Sequence, residues 1–210
     1  MSAPLQVLGR SSSINVRKVL WICDELGLPF AREDWGIGFQ STQAPAILAR
    51  NPNALVPVIV DAGFVLWESN SICRYLAAKH GRGDLLPADA AGRARVEQWM
   101  DWQAGELNNA WRYAFMALVR KSAAHTDAAA LQASRHNWNR HMQILEAQLT
   151  HTGAYAVGPV FTLADIVLGL SVHRWLMTPM VRPELPAVAA YVERLKQRPA
   201  FLQHASKETP

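Results

Sequence analysis

The sequence is short of cysteine: Cys23 and Cys73 are the only two in 210 residues, and they do not form a CxxC pair. That excludes a disulfide-stapled scaffold and a zinc ribbon and suits a reducing compartment, so a cytoplasmic protein is expected. Long apolar runs are missing as well. No stretch approaches the roughly 18 consecutive apolar residues of a membrane-spanning helix. Met1 to Arg10 has neither the basic start nor the apolar stretch of a secretory signal, and no membrane partner is expected. Charge is not clustered either: 21 Lys and Arg stand against 17 Asp and Glu, with never more than two basic residues adjacent. Nucleic-acid binders gather such charge on one stripe, so no nucleic acid is expected. The seven histidines show no HExxH spacing and there is no GxxxxGK[ST] loop, so no metal site or phosphate loop is expected. The scattered arginines suit a solvated surface and small anionic ligands.

Apolar side chains are plentiful. Half of the residues are hydrophobic and 18% are charged, enough for a sizeable buried core. Leu5 to Leu8 reads as a strand closed by Gly9. Val16, Val19, Leu20, Cys23 and Leu26 then recur at helical spacing until Gly27-Leu28-Pro29 stops them. Phe30 to Asp34 reads as a strand and Pro45 to Arg50 as a short helix. Val56 to Val60 and Phe64 to Leu66 form a hairpin across Asp61-Ala62-Gly63, and a helix runs from Ser69 to Lys79. This half reads β-α-β-α-β-β-α.

Beyond Gly81 strand signals vanish. A long helix is expected over Ala90 to Arg120, with Val96, Trp99, Gln103, Leu107, Ala110, Ala114 and Leu118 on one stripe. The next helix carries Leu131, Arg135, Trp138, Met142, Leu145 and Leu149, as bundle core does. Two more helices are expected over Asp165 to Leu176 and Pro186 to Arg198. Thr162-Leu163-Ala164-Asp165 has the form of a capping box, with Phe161 and Ile166 placed to staple across it. The expected domains are 1–81 and 88–210, with 82–87 as a linker.

Three segments carry chemistry. Arg10-Ser11-Ser12-Ser13 puts hydroxyls between a strand and the start of a helix, whose unpaired N–H groups and partial positive charge favour an anion or thiolate. Helix capping is the competing role for any one serine. Asn51-Pro52-Asn53-Ala54-Leu55-Val56-Pro57 places a proline at a strand start, where a cis Val56–Pro57 bond would turn the Val56 backbone toward a ligand. Trp67-Glu68-Ser69-Asn70 joins a strand to a helix. There a carboxylate followed by a serine suits a ligand's ammonium and carboxylate, and Ser69-Asn70 also suits a cap.

The order of these segments resembles the glutathione S-transferase superfamily over nearly the whole chain. The resemblance implies an α/β plus all-α fold, a thioredoxin-like domain followed by an all-helical one. Ser13 followed by Arg17 is similar to theta- and phi-type and related bacterial serine transferases. That implies Ser13 as the catalytic residue, activating the thiol of the co-substrate glutathione for attack on an electrophilic, hydrophobic substrate in detoxification. It implies Glu68 and Ser69 on the γ-glutamyl group, Val56 beside Pro57 on the cysteinyl part and Gln43 near the glycine carboxylate. It further implies a homodimer in which Asp101 reaches the neighbouring subunit's glutathione. The second substrate is expected between the domains against the first long helix, near Trp111, Phe115 and Met116. Two positions depart from the family pattern: Ala54 replaces a common glycine, and Leu55 replaces a Gln or Lys contact.

Two other functions fit parts of the sequence. Arg10-Ser11-Ser12-Ser13 resembles the Ser-Ser-Cys start of zeta-type maleylacetoacetate isomerases, with Ser13 where cysteine stands. A non-catalytic binding protein of the same fold is the other, against which intact Ser13, Glu68 and Ser69 argue.

Overall fold

The computed structural model describes residues 4–205. They form two compact units that divide between Leu86 and Pro87.

The first unit runs β1 (Leu5–Leu8), α1 (Ile14–Glu25), β2 (Phe30–Glu33), α2 (Pro45–Leu48), β3 (Val58–Asp61), β4 (Phe64–Trp67) and α3 (Ser69–Lys79). The strands form one sheet in the order β2-β1-β3-β4. β1 and β2 are parallel, and the β1–β3 and β3–β4 pairs are antiparallel. This is the thioredoxin-like arrangement expected. Ala62 and Gly63 link β3 to β4 with φ of 49° and 89°, the left-handed pair that a tight hairpin needs to match strand twist. Gly27, at φ 62°, ends α1 as its position after the apolar stripe implied. β3 pairing starts at Val58 rather than at Val56, because Pro57 has no N–H to give the ladder. Leu8, Trp35, Ile47 and Val58 make a buried cluster, with Val56 and Trp67 packed against it.

The chain after α3 stays folded with this unit. Arg82 donates to the Glu25 carbonyl at 2.7 Å and pairs with Asp84, and Leu85 and Leu86 are buried.

The second unit is helical: α4 (Ala90–Trp102), α5 (Asn108–Leu118), α6 (Ala128–Thr152), α7 (Leu163–Met177), α8 (Pro186–Leu195) and α9 (Pro199–His204). Asp89 and Asp127 cap α4 and α6, each accepting from a first-turn N–H at 2.7 Å. The single helix expected over Ala90 to Arg120 is interrupted by a π-helical turn at Gln103–Leu107. The buried Gln103 amide donates across that wider turn to Asn108, five residues on, at 2.9 Å and to Ser171 at 3.0 Å. Val96, Gln103, Leu107, Ala110 and Ala114 of the expected stripe are buried. The helix expected over Pro186 to Arg198 stops at Leu195, since Pro199 starts a new one.

Asp165 is fully buried at the start of α7. Its carboxylate accepts from the Ala156 N–H at 2.9 Å, the Thr162 N–H at 2.8 Å and the Tyr191 hydroxyl at 3.1 Å. Burial outweighs these bonds and raises its pKa to about 6. Phe161 and Ile166 are buried on either side, as the staple pattern implied.

Candidate active site

Sheet register brings the three chemical segments together. Glu33, Leu8, Val58 and Trp67 are successive partners across the four strands. β1 leaves that row toward Ser13, β3 enters it from Val56–Pro57, and β4 leaves it toward Glu68 and Ser69. With neighbouring strands about 4.8 Å apart, the β1, β3 and β4 ends fall within about 10 Å.

Ser13 is the N-cap residue of α1, yet its side chain makes no capping hydrogen bond. The hydroxyl is therefore not consumed by the role that competes with chemistry. It is partly exposed, while Ser11 is exposed in the turn before it. No acidic residue occupies the first turn of α1, so nothing there opposes the positive end of the helix.

The Val56–Pro57 peptide is cis, as expected. Asn51 shapes the approach: its amide donates to the Leu55 carbonyl at 2.8 Å and accepts from the Asn53 N–H at 3.0 Å. Ala54 takes the left-handed φ of 54°, which explains why a glycine suits this position. Leu55 is 61% exposed.

Glu68 precedes α3 with φ 71° and ψ 110°, a conformation that costs a non-glycine residue about 1–3 kcal/mol. Glu68 itself stands at the N-cap position, where Ser69-Asn70 was the expected cap; its side chain is exposed and makes no cap bond. Ser69 is instead the first helical residue and is buried.

Sequence reading missed two supports of this site. A Cβ on Gly9, at φ 143°, would lie 2.5 Å from Val16 and 3.0 Å from Val56, so only glycine lets β1 pass between the α1 start and the loop before β3. Its only sequence signal is a glycine directly after a strand. Lys18 is the other. A lysine ordinarily keeps its charge in solvent, yet Lys18 is 1% exposed and its neighbour Arg17 is 3% exposed. The Lys18 ammonium donates to Asn70 on α3 at 3.2 Å.

Of the remaining expected residues, Gln43 belongs to the first unit and Asp101, Trp111, Phe115 and Met116 to the second. Gln43 is exposed before α2, its N–H donating to Ser41 at 3.2 Å. Asp101 is exposed on α4. Phe115 is 4% exposed, and Arg174 lies over its ring at 4.2 Å and over that of Trp111 at 4.6 Å. Trp111 also donates to Asn108 at 3.0 Å. Trp111 and Met116 keep partial exposure, whereas Phe115 packs inside the helical unit. Cys23 and Cys73 are buried, and burial pushes both thiols up to about 12, so neither serves as a nucleophile. Among the described residues no group of His, Cys, Asp and Glu is arranged to hold a metal ion.

Residues 12–79 match the family described as glutathione S-transferase, N-terminal domain, and 108–199 match glutathione S-transferase, C-terminal domain. The chain is 36% identical over 194 residues to glutathione S-transferase GstB of Escherichia coli K12, covering 91% of this chain and 93% of that protein. It is 33% identical to glutathione S-transferase 3 of Zea mays, covering 95% and 92% of the two chains. A theta class glutathione S-transferase from Xanthomonas axonopodis pv. citri, solved with glutathione bound, superposes with a TM-score of 0.89 at 36% identity, covering 97% and 98% of the two chains. With the two domain matches and these relatives spanning nearly its full length, the chain belongs to the glutathione S-transferase family.

Proposed function

We propose that this protein conjugates glutathione to electrophilic, hydrophobic substrates, with the Ser13 hydroxyl stabilising the glutathione thiolate. The observation that carries this reading is the uncommitted Ser13 side chain at the N-cap of α1, on the sheet end shared with Val56–Pro57 and Glu68–Ser69. The relatives' names and the glutathione-bound theta class structure support it.

The magnitudes are adequate. A thiol of ordinary pKa near 8.5 is only a few per cent ionised at neutral pH. Lowering it by about two units takes about 2.7 kcal/mol. A hydroxyl hydrogen bond to a charged sulfur supplies about 1.5–3 kcal/mol, and the helix end about 0.3–1 kcal/mol. Glu68 receives the γ-glutamyl ammonium and Ser69 the adjoining carboxylate, while the Val56 backbone pairs with the cysteinyl unit beside Pro57. Gln43 lies toward the glycine end. Trp111, Phe115 and Met116 are the side chains assigned to the hydrophobic substrate. The reading includes a cytoplasmic homodimer in which Asp101 contacts the partner's glutathione; light scattering at micromolar concentration should give twice the chain mass.

The test is the ultraviolet absorbance of bound thiolate against pH, with and without Ser13→Ala. The substitution should raise the bound thiol pKa by one to two units and lower kcat roughly 10- to 100-fold, the size of one charge-assisted hydrogen bond. An unchanged pKa and rate would remove Ser13 from the chemistry and turn attention to Ser11 and Ser12.

A further inference from the structure

One hydrogen-bonded chain inside the helical unit joins the π turn to Trp111. Ser171 on α7 donates its hydroxyl to the Val167 carbonyl at 2.9 Å and accepts from the Gln103 amide at 3.0 Å. The Gln103 amide also donates to Asn108 Oδ1 at 2.9 Å. The Trp111 indole N–H donates to that same oxygen at 3.0 Å. Ser171 and Gln103 are each 1% exposed, so the chain is rooted in the core and ends on a half-buried indole.

Two donors converge on one oxygen because the helix widens. In a regular α-helix, residues five apart point about 140° away from each other, out of reach of a glutamine amide. The π turn at Gln103–Leu107 brings Gln103 and Asn108 onto adjoining sides. Asn108 and Trp111 are then three apart at the start of α5, an ordinary spacing for neighbours. The indole is held by its ring as well. Arg174 lies over it at 4.6 Å, Phe115 meets it edge-on at 5.4 Å, and Trp138 lies tilted against it at 6.0 Å. An exposed side chain on a helix samples several rotamers. Here the N–H and the ring are both engaged, which fixes the orientation of the part that meets solvent.

Resting on the assignment of Trp111 to the hydrophobic substrate, we propose that Gln103 and Asn108 are positioning residues that hold the Trp111 ring for a flat aromatic group, so that the protein favours aryl over small alkyl substrates. An aromatic contact is directional, offset or edge-on, and gains from a ring whose plane is set before binding. The entropy of ordering that ring is then spent in folding rather than in binding. A small alkyl group makes no such directional contact and is indifferent to it.

The experiment measures binding of S-benzylglutathione and S-methylglutathione to the full chain by calorimetry. The two ligands share the tripeptide, so the ratio of their affinities isolates the aryl contact. Asn108→Ala should lower the benzyl-to-methyl ratio roughly three- to tenfold, the effect of one side chain that must now be ordered on binding. Gln103→Met, which keeps the length and removes the donor, should lower it in the same direction. In a Trp111→Phe background, where the indole N–H is gone, Asn108→Ala should lower it no further. Asn108→Asp keeps an acceptor at the same place and should restore the ratio. The Trp111 indole N–H signal, assigned by its loss in Trp111→Phe, should exchange with solvent faster in Asn108→Ala and at the parent rate in Asn108→Asp. A merely structural role would weaken both ligands alike and leave the ratio unmoved. An unmoved ratio in Asn108→Ala or Gln103→Met, a full Asn108→Ala effect without the indole, or no rescue by Asn108→Asp would each overturn the positioning role alone. An unmoved ratio in Trp111→Leu would remove Trp111 from the substrate contact and the proposal with it. A parent that bound neither ligand would overturn the glutathione reading as well.

Discussion

Lys18 and Asn70 meet in the interior of the first unit, Nζ to Oδ1 at 3.2 Å, and tie the helix that follows Ser13 to the helix that follows Glu68. Both are buried, Lys18 at 1% and Asn70 at 8% exposure. Lys18 lies five residues after Ser13 and Asn70 two after Glu68, so this bond links the two helices close to both site loops. Asn70→Leu leaves a buried ammonium short of an acceptor and should cost about 2–4 kcal/mol in denaturant unfolding. Lys18→Met removes the charge itself and should cost less. A double variant no worse than Asn70→Leu alone would display the coupling; strict additivity would refute it.

Ser13→Cys asks whether residue 13 faces the sulfur. The α1 N-terminus that favours a bound thiolate also acidifies a thiol placed there. With oxidised glutathione, the introduced thiolate attacks one sulfur, the old disulfide breaks, and reduced glutathione leaves as its thiolate. Intact mass should show one glutathione added at residue 13, with most conjugating activity lost. An unmodified protein would show that the side chain points away.

Glu68→Gln should separate binding from activation. The carboxylate's expected partner is the ligand's ammonium, so glutathione affinity should fall roughly tenfold while the bound thiol pKa moves little. A shift in that pKa as large as that of Ser13→Ala would place Glu68 beside the sulfur instead.

Asp165 gives a pH signature of stability. Its pKa rises from an ordinary 3.8 to about 6 on folding, so the folded state holds the proton more tightly. The corresponding stability is present in full below about pH 4 and is lost as pH rises through about 6, on the order of 3 kcal/mol. Asp165→Ala should abolish that slope. It should also cost several kcal/mol at every pH, because the buried Ala156 and Thr162 N–H groups lose their acceptor. Unfolding curves at pH 4, 5, 6 and 7 for both proteins are the measurement; a parent curve whose stability climbs over this range would contradict the shift.

Much of this was legible in the sequence because local signals agreed. Gly27, the Ala62-Gly63 turn and the Thr162–Asp165 pattern each state a backbone requirement that one residue type meets. The site segments were legible for the same reason: they sit where strands give way to helices. Three features were not. The π turn at Gln103–Leu107 depends on a Gln103 bond to Ser171, 68 residues away, and no periodicity records it. Lys18 has a surface residue's chemistry and acquires its interior role only when α3 supplies Asn70. Phe115 and Trp111 occupy helical positions that fit a pocket or a core equally well, and Arg174 on α7 settles their packing.

The row Glu33, Leu8, Val58, Trp67 also works as a gauge. A ligand gripped at both Ser13 and Glu68 must reach across two strand intervals, a length dictated by peptide hydrogen bonding rather than by any side chain. Mutation can therefore retune what is gripped at either end while the distance between the grips stays the same.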